Sequence, residues 1–186
     1  MFEITSKSNR LERIIEVGEL LETKLTKKSK KLEAVLWSIA LPGFAQLLNH
    51  RYIKGILFIG LEILINVMGN LNTVIILSFH LKIEEAIAQT NYLWLMFYPC
   101  LYFFTIWDAY KDAGGGEKPF AYLPLAFTAY FVTVGVIFSP NLTIFGHFIG
   151  PVWMPILSTP IGLAIGGLIR WFLLKINADG ESEEVI

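Results

Sequence analysis

Apolar residues gather into five stretches along the chain, at 32–48, 53–77, 92–107, 120–138 and 148–174, separated by short polar segments. Crossing about 30 Å of hydrocarbon takes about 20 helical residues, with a usual range of about 17 to 25. The last four stretches meet that length or come close, and they predict membrane spans. The first does not read as a clean helix. Its centre is Leu41-Pro42-Gly43-Phe44-Ala45-Gln46, and a polar Asn49-His50-Arg51 follows. Proline removes a helical hydrogen bond and glycine loosens the backbone, so 32–50 is expected to be a broken, interfacial or re-entrant hairpin.

The distribution of lysine and arginine arbitrates between four and five crossings. With 32–50 returning to its own side, 14 basic residues lie on the cytoplasmic side and only Lys82 lies outside. With five crossings the split falls to 9 against 6, a much weaker bias. The expected fold class is therefore an all-α integral membrane protein with four transmembrane helices plus a short broken N-terminal hairpin, and both termini cytoplasmic. Residues 80–91 and 139–147 would face outward, and 108–119 would form a cytoplasmic loop.

Composition agrees with this picture and excludes a soluble enzyme or a disordered tail protein. The chain of 186 residues is 54% hydrophobic with only 17% charged residues, and 8 of its 15 basic residues fall within the first 31 positions. The membrane domain at 32–176 is thus still more apolar than the average, between a basic arm at 1–31 and an acidic tail at 177–186 expected to be disordered. The arm lacks the apolar core of a cleavable signal. From Asn9 it reads as a helix, with Asn9 and Glu12 as a capping box and Leu11, Ile14, Leu21 and Leu25 as an apolar stripe interrupted by Gly18. Lys24, Lys27, Lys28, Lys30 and Lys31 precede the first apolar stretch. They fix orientation, or they bind lipid headgroups, at about 1 kcal/mol per lysine near an anionic leaflet.

The segment Pro42-Gly43-Phe44-Ala45-Gln46-Leu47-Leu48-Asn49-His50-Arg51-Tyr52-Ile53-Lys54-Gly55 resembles the P-G-x-G-Q-x-Y-N-x-x-x-x-K-G pattern of small bacterial membrane proteins similar to the TM2-domain group. Pro42, Gly43, Gln46, Asn49, Lys54 and Gly55 match, while Ala45 and Leu48 replace the usual glycine and tyrosine. The resemblance implies a membrane-embedded hairpin with a basic turn at the cytoplasmic face, in the bacterial plasma membrane, and no chemistry. Physically, Gln46 and Asn49 can satisfy backbone groups freed by Pro42 and Gly43, and Arg51 and Lys54 can reach headgroups beside Tyr52. Broken helices also build transporter sites, usually in pairs.

In the next stretch Gly55, Glu62, Asn66, Gly69 and Thr73 recur at steps of 7, 4, 3 and 4, a polar stripe along one helix face. Glu62 lies nine residues past Ile53, which places it near mid-membrane at about 1.5 Å per residue. A carboxylate at that depth costs about 2.5 to 3.5 kcal/mol on insertion scales. It is either functional, or a protonated acid gluing helices together with Asn66.

Elsewhere the chemistry thins out. Pro99 predicts a kink in the third stretch, and Pro151, Pro155 and Pro160 predict one in the outer half of the last. Gly162 and Gly166 form a GxxxG pair suited to close helix packing within the chain. Gly114-Gly115-Gly116 reads as a linker, since no Lys-Ser or Lys-Thr follows it. No HExxH, GxSxG or Cys-His cluster is present, and Cys100 is the only cysteine. His80, Glu84 and His147 share the expected outer side, but a fourth ligand cannot be named, so no metal is assigned. No catalytic residue and no cofactor are expected. The implied partners are the lipid bilayer, anionic lipids and another membrane protein, with no nucleic acid. The expected role is an accessory or scaffolding one, with a small transporter or channel subunit using Glu62 as the alternative.

Overall fold

The computed structural model describes residues 2–183, with side chains described for 15–178. It is helical throughout, apart from one two-stranded hairpin. Helix α1 (Phe2–Ala40) is continuous from the arm into the first apolar stretch. Its backbone is helical before Asn9, so no helix starts there, and the Asn9, Glu12, Leu11 and Ile14 side chains lie outside the described residues. From Ile15 to Lys30 every side chain is exposed, and α1 meets the rest of the fold through its last turns, where Ala34 and Ser38 are buried.

The break expected near Pro42 is present. The chain turns through Leu41-Pro42-Gly43, with Gly43 at φ 96°, into the short α2 (Phe44–Leu48), and turns again at His50 into α3 (Tyr52–Met68). The left-handed backbone of Gly43 is cheap only for glycine. A Cβ there would also lie 2.7 Å from the Gly55 carbonyl oxygen and 2.8 Å from the Ile59 nitrogen, backbone against backbone. Pro42-Gly43 thus lets the turn lie directly on α3.

The stretch at 53–77 is not one straight helix. Glycine and asparagine are poor helix formers, and at Gly69-Asn70 the chain bends by 63° into α4 (Leu71–Phe79), with Asn70 at φ 57°. The segment that follows plugs the break. Asn70 Nδ2 donates to the Gln89 carbonyl at 3.1 Å, and the Asn91 N–H donates to the Gly69 carbonyl at 3.4 Å.

Helix α5 (Ile83–Gln89) occupies the segment expected to be an outward loop, and α6 (Tyr92–Leu95) leads into α7 (Tyr98–Asp112). The interruption falls at Met96-Phe97, so Pro99 does not kink a helix. It sits in the first turn of α7, where its missing N–H costs nothing. Helix α8 (Leu123–Phe138) is followed by β1 (Thr143–Ile144) and β2 (His147–Phe148), which pair antiparallel about a Phe145-Gly146 turn.

Helix α9 (Gly150–Glu183) contains Pro155 and Pro160 without ending at either, and it continues past the boundary expected at 176. Its packing on α8 is the most extensive in the fold. A Cβ on Gly162 would lie 2.5 Å from Thr128 Cα, and one on Gly166 would lie 2.7 Å from Pro124 Cα. The GxxxG pair therefore serves close packing within the chain.

Among the described residues, one helix, over Gly150–Ala178, is by length and composition long and apolar enough to cross a membrane, and the bent α3–α4 pair makes a second if taken as one broken span. Large apolar side chains crowd the outside. Among the described residues, Ile53 is 87% exposed and Leu168 and Trp171 are also exposed, while the buried set mixes apolar Phe58, Ile65, Leu71 and Val136 with polar Gln46, Thr105, Thr128 and Ser78.

Candidate functional site

The fourteen-residue motif converges on the C-terminal half of α7, which places Thr105, Asp108, Ala109 and Asp112 on one face at helical spacing. Gln46, fully buried on α2, donates through Nε2 to the Thr105 carbonyl at 2.9 Å and to Asp108 Oδ2 at 3.2 Å. One turn on, Asn49 Nδ2 donates to the Ala109 carbonyl at 3.3 Å. The amides therefore clamp α2 to α7. They do not satisfy the groups freed at Pro42-Gly43, as their proximity in sequence had suggested, because the α2 turn carries both side chains away from that gap and onto the neighbouring helix.

The two basic residues of the motif are likewise engaged within the protein. Lys54 Nζ lies 2.7 Å from Asp108 Oδ1 and 3.3 Å from Asp112 Oδ2, and Arg51 Nε lies 3.8 Å from Asp112 Oδ2. The carboxylate side chains are about 15% exposed, against 44% for Lys54. The charges thus sit at a boundary, half screened by solvent, where such pairs contribute less than buried ones. Arg51 and Lys54, expected to face headgroups, are also paired within the protein, because α7 brings two carboxylates within their reach. Gly55 completes the arrangement: Leu47 lies directly against it, and a side chain there would push α2 off α3.

Deeper along α3, Glu62 is 8% exposed. Tyr98 Oη donates to Glu62 Oε1 at 3.1 Å, while Oε2 is buried without a partner. Tyr98 stacks on Tyr102 with ring centroids 5.7 Å apart, and Tyr102 Oη donates to the Ile39 carbonyl at 3.0 Å. A polar column therefore links α3, α7 and the end of α1. The remainder of the predicted stripe is not assembled. Asn66 reaches Asn72 at 3.4 Å, away from Glu62, and the bend at Gly69-Asn70 leaves Thr73 exposed on another helix.

The lysines Lys24, Lys27, Lys28 and Lys30 are exposed along α1, with Lys31 half-buried at their end. Among the described residues no three His, Cys, Asp or Glu side chains are grouped to hold a metal, so His80, Glu84 and His147 do not form a three-ligand site. Gly114-Gly115-Gly116 is more ordered than a linker. Gly114, at φ 80°, and Gly115 close α7 through N–H bonds to the Lys111 and Tyr110 carbonyls at 2.9 and 2.8 Å, the Schellman pattern.

Thr105, Asp108 and Asp112, with Tyr98 and Tyr102 above them, are the site residues that the linear motif did not contain. The available signal was complementarity: Gln46 and Asn49, like Arg51 and Lys54, are three apart, and Asp108 and Asp112 are an i,i+4 pair at the end of a mostly apolar stretch. The assembly offers no nucleophile activated by a base and no metal cage; it offers cross-links. No protein-family model, no curated protein and no solved structure matches the chain.

Proposed function

We propose that the chain is a non-catalytic, multi-pass protein of a bacterial cytoplasmic membrane, an accessory or scaffolding subunit that meets another membrane protein or anionic lipid. The observation that carries this reading is the apolar exterior. Ile, Leu, Phe and Trp side chains cover the outside of the described helices, while the interior mixes apolar residues such as Phe58, Ile65 and Leu71 with buried Gln46, Thr105, Thr128 and Ser78, the arrangement expected when the solvent is hydrocarbon. In this reading the four crossings are α3 with α4, α6 with α7, α8, and α9. The α1 end and α2 form the hairpin that returns to its own side, in keeping with the resemblance to TM2-domain proteins. Both termini are cytoplasmic, and the exposed Lys24–Lys31 cluster lies against the inner leaflet.

The scaffolding role rests on the cross-linked motif, which holds α2, α3 and α7 in one arrangement and leaves α1 exposed for contact from Ile15 to Lys30. Purification in mild detergent, with identification of co-purifying proteins and lipids, tests it. A stoichiometric membrane partner or retained anionic lipid is the expected result. A monodisperse protein that needs no detergent would remove the membrane reading.

One observation favours a second reading, a small transporter or channel subunit: the buried, unpartnered Glu62 Oε2 in the midst of an apolar helix. Flux through proteoliposomes containing the isolated protein would establish it in place of the first.

A further inference from the structure

A groove of about 370 Å³ runs between α7 and α8, with Cys100, Phe104 and Trp107 on one wall and Tyr122, Ala126 and Ala129 on the other. Its lining is mostly apolar, with Ala126 and Ala129 as its smallest side chains. The steps from Cys100 to Phe104 to Trp107 are four and three, and the next step of four along the same face reaches Lys111. The groove is therefore about 10 Å long, at 1.5 Å per residue, with an ammonium one turn beyond its mouth.

The last turn of α7 separates its charges by face. Asp108 and Asp112 turn to α3 and are taken up by Lys54 and Arg51. Lys111 is exposed and makes no ion pair among the described residues. The mouth is held in shape by aromatic contacts. Trp107 lies 6.3 Å from Tyr122 and 6.0 Å from Tyr110 between ring centroids, and a Cβ on Gly116 would lie 2.7 Å from the Trp107 ring, so the loop backbone seats directly on it. Apolar depth, an aromatic collar and then an unneutralised cation is the order in which a phospholipid presents its chain, glycerol region and phosphate.

We propose that this groove binds one acyl chain of an anionic phospholipid whose phosphate is held by Lys111. Resting on the membrane reading above, the proposal adds a lipid site separate from the arm lysines. A partner span would need no cation at the mouth of the groove, whereas the exposed Lys111 complements a phosphate, so the occupant that fits both features is a lipid.

The test uses the full chain in mild detergent, titrated separately with phosphatidylglycerol, phosphatidylcholine and glycerol phosphate, and read by native mass spectrometry. The first phosphatidylglycerol should bind about fivefold tighter than phosphatidylcholine, whose phosphate is already neutralised by its choline, the value of one lysine near a net anionic headgroup, and Lys111→Gln should abolish that preference. Ala126→Leu should weaken both lipids, and glycerol phosphate should not compete. Alkylation of Cys100, the only thiol, reports on the groove in the unaltered protein and should slow when phosphatidylglycerol is added. Full preference in Lys111→Gln, competition by glycerol phosphate, or Cys100 reacting at the same rate with and without lipid would overturn the proposal. Equal binding of both phospholipids by the wild type would remove this site and leave the membrane reading intact, whereas a protein monodisperse without detergent that takes up neither lipid would remove both.

Discussion

The Lys54 ammonium lies 2.7 Å from Asp108 Oδ1 and 3.3 Å from Asp112 Oδ2, so one side chain at the start of α3 ties down two successive turns of α7. Together with Gln46 and Asn49, it makes the broken segment a wedge between helices. The motif residues are explained by what they hold in place.

That relationship predicts measurable coupling. Lys54→Met and Asp108→Asn should each lower the thermal midpoint in detergent, and the double variant should lose less than their sum. Because Lys54 is 44% exposed, the coupling energy should be on the order of 1 kcal/mol and not the larger value of a buried pair. Strict additivity would show that the pair contributes nothing.

The α8–α9 contact makes a sharper stability prediction with an internal control. Gly162 and Gly166 meet the backbone of α8, whereas Gly167 has nothing within 4 Å of where its Cβ would stand. Gly162→Leu or Gly166→Leu should destabilise by about 1 to 3 kcal/mol or more through overpacking, and Gly167→Leu should be near neutral. Equal effects at all three positions in a detergent melt would contradict the contact.

Topology is testable with single cysteines in a Cys100→Ser background. Glu84 and Glu117 are suitable positions, since both side chains are exposed. Glu84→Cys should react with an impermeant reagent added to intact cells, and Glu117→Cys only after lysis. Labelling of the second from outside would sink the four-crossing arrangement.

Much of the architecture was legible in the chain because hydrophobic runs and Pro-Gly breaks are local signals. The turn at Pro42-Gly43 and the Gly162–Gly166 packing face are examples. The bend at Gly69-Asn70 was missed because the run of apolar residues continues across it, and what stabilises it, Gln89 and Asn91, lies some twenty residues further on. The site was half legible for the same reason. Gln46, Asn49, Arg51 and Lys54 announce themselves by position, but their partners Thr105, Asp108 and Asp112 belong to another helix, and only folding brings the two sets together. Proximity in sequence assigned the amides to the nearest broken backbone; distance in space assigns them to α7 and gives the cations carboxylate partners there.

Glu62 separates the two functional readings, and its surroundings say which substitution is informative. Glutamine keeps the shape of a protonated carboxyl and can still accept the Tyr98 hydroxyl hydrogen bond at the position of Oε1. If Glu62 is an internal tie between α3 and α7, Glu62→Gln should leave both the melt and the growth phenotype of the encoding strain unchanged. If Glu62 carries a proton or cation through the free Oε2, the same change should abolish flux without altering the melt, since only the titratable group is lost. Glu62→Leu removes the bond to Tyr98 as well and should lower the melt in either case, because it leaves a half-buried hydroxyl without its acceptor. The informative comparison is therefore Gln against wild type, with Leu as the control that the melt can register loss of this contact. Unchanged growth and melt in Gln, beside a lowered melt in Leu, would eliminate the transport reading and leave Glu62 as a packing residue.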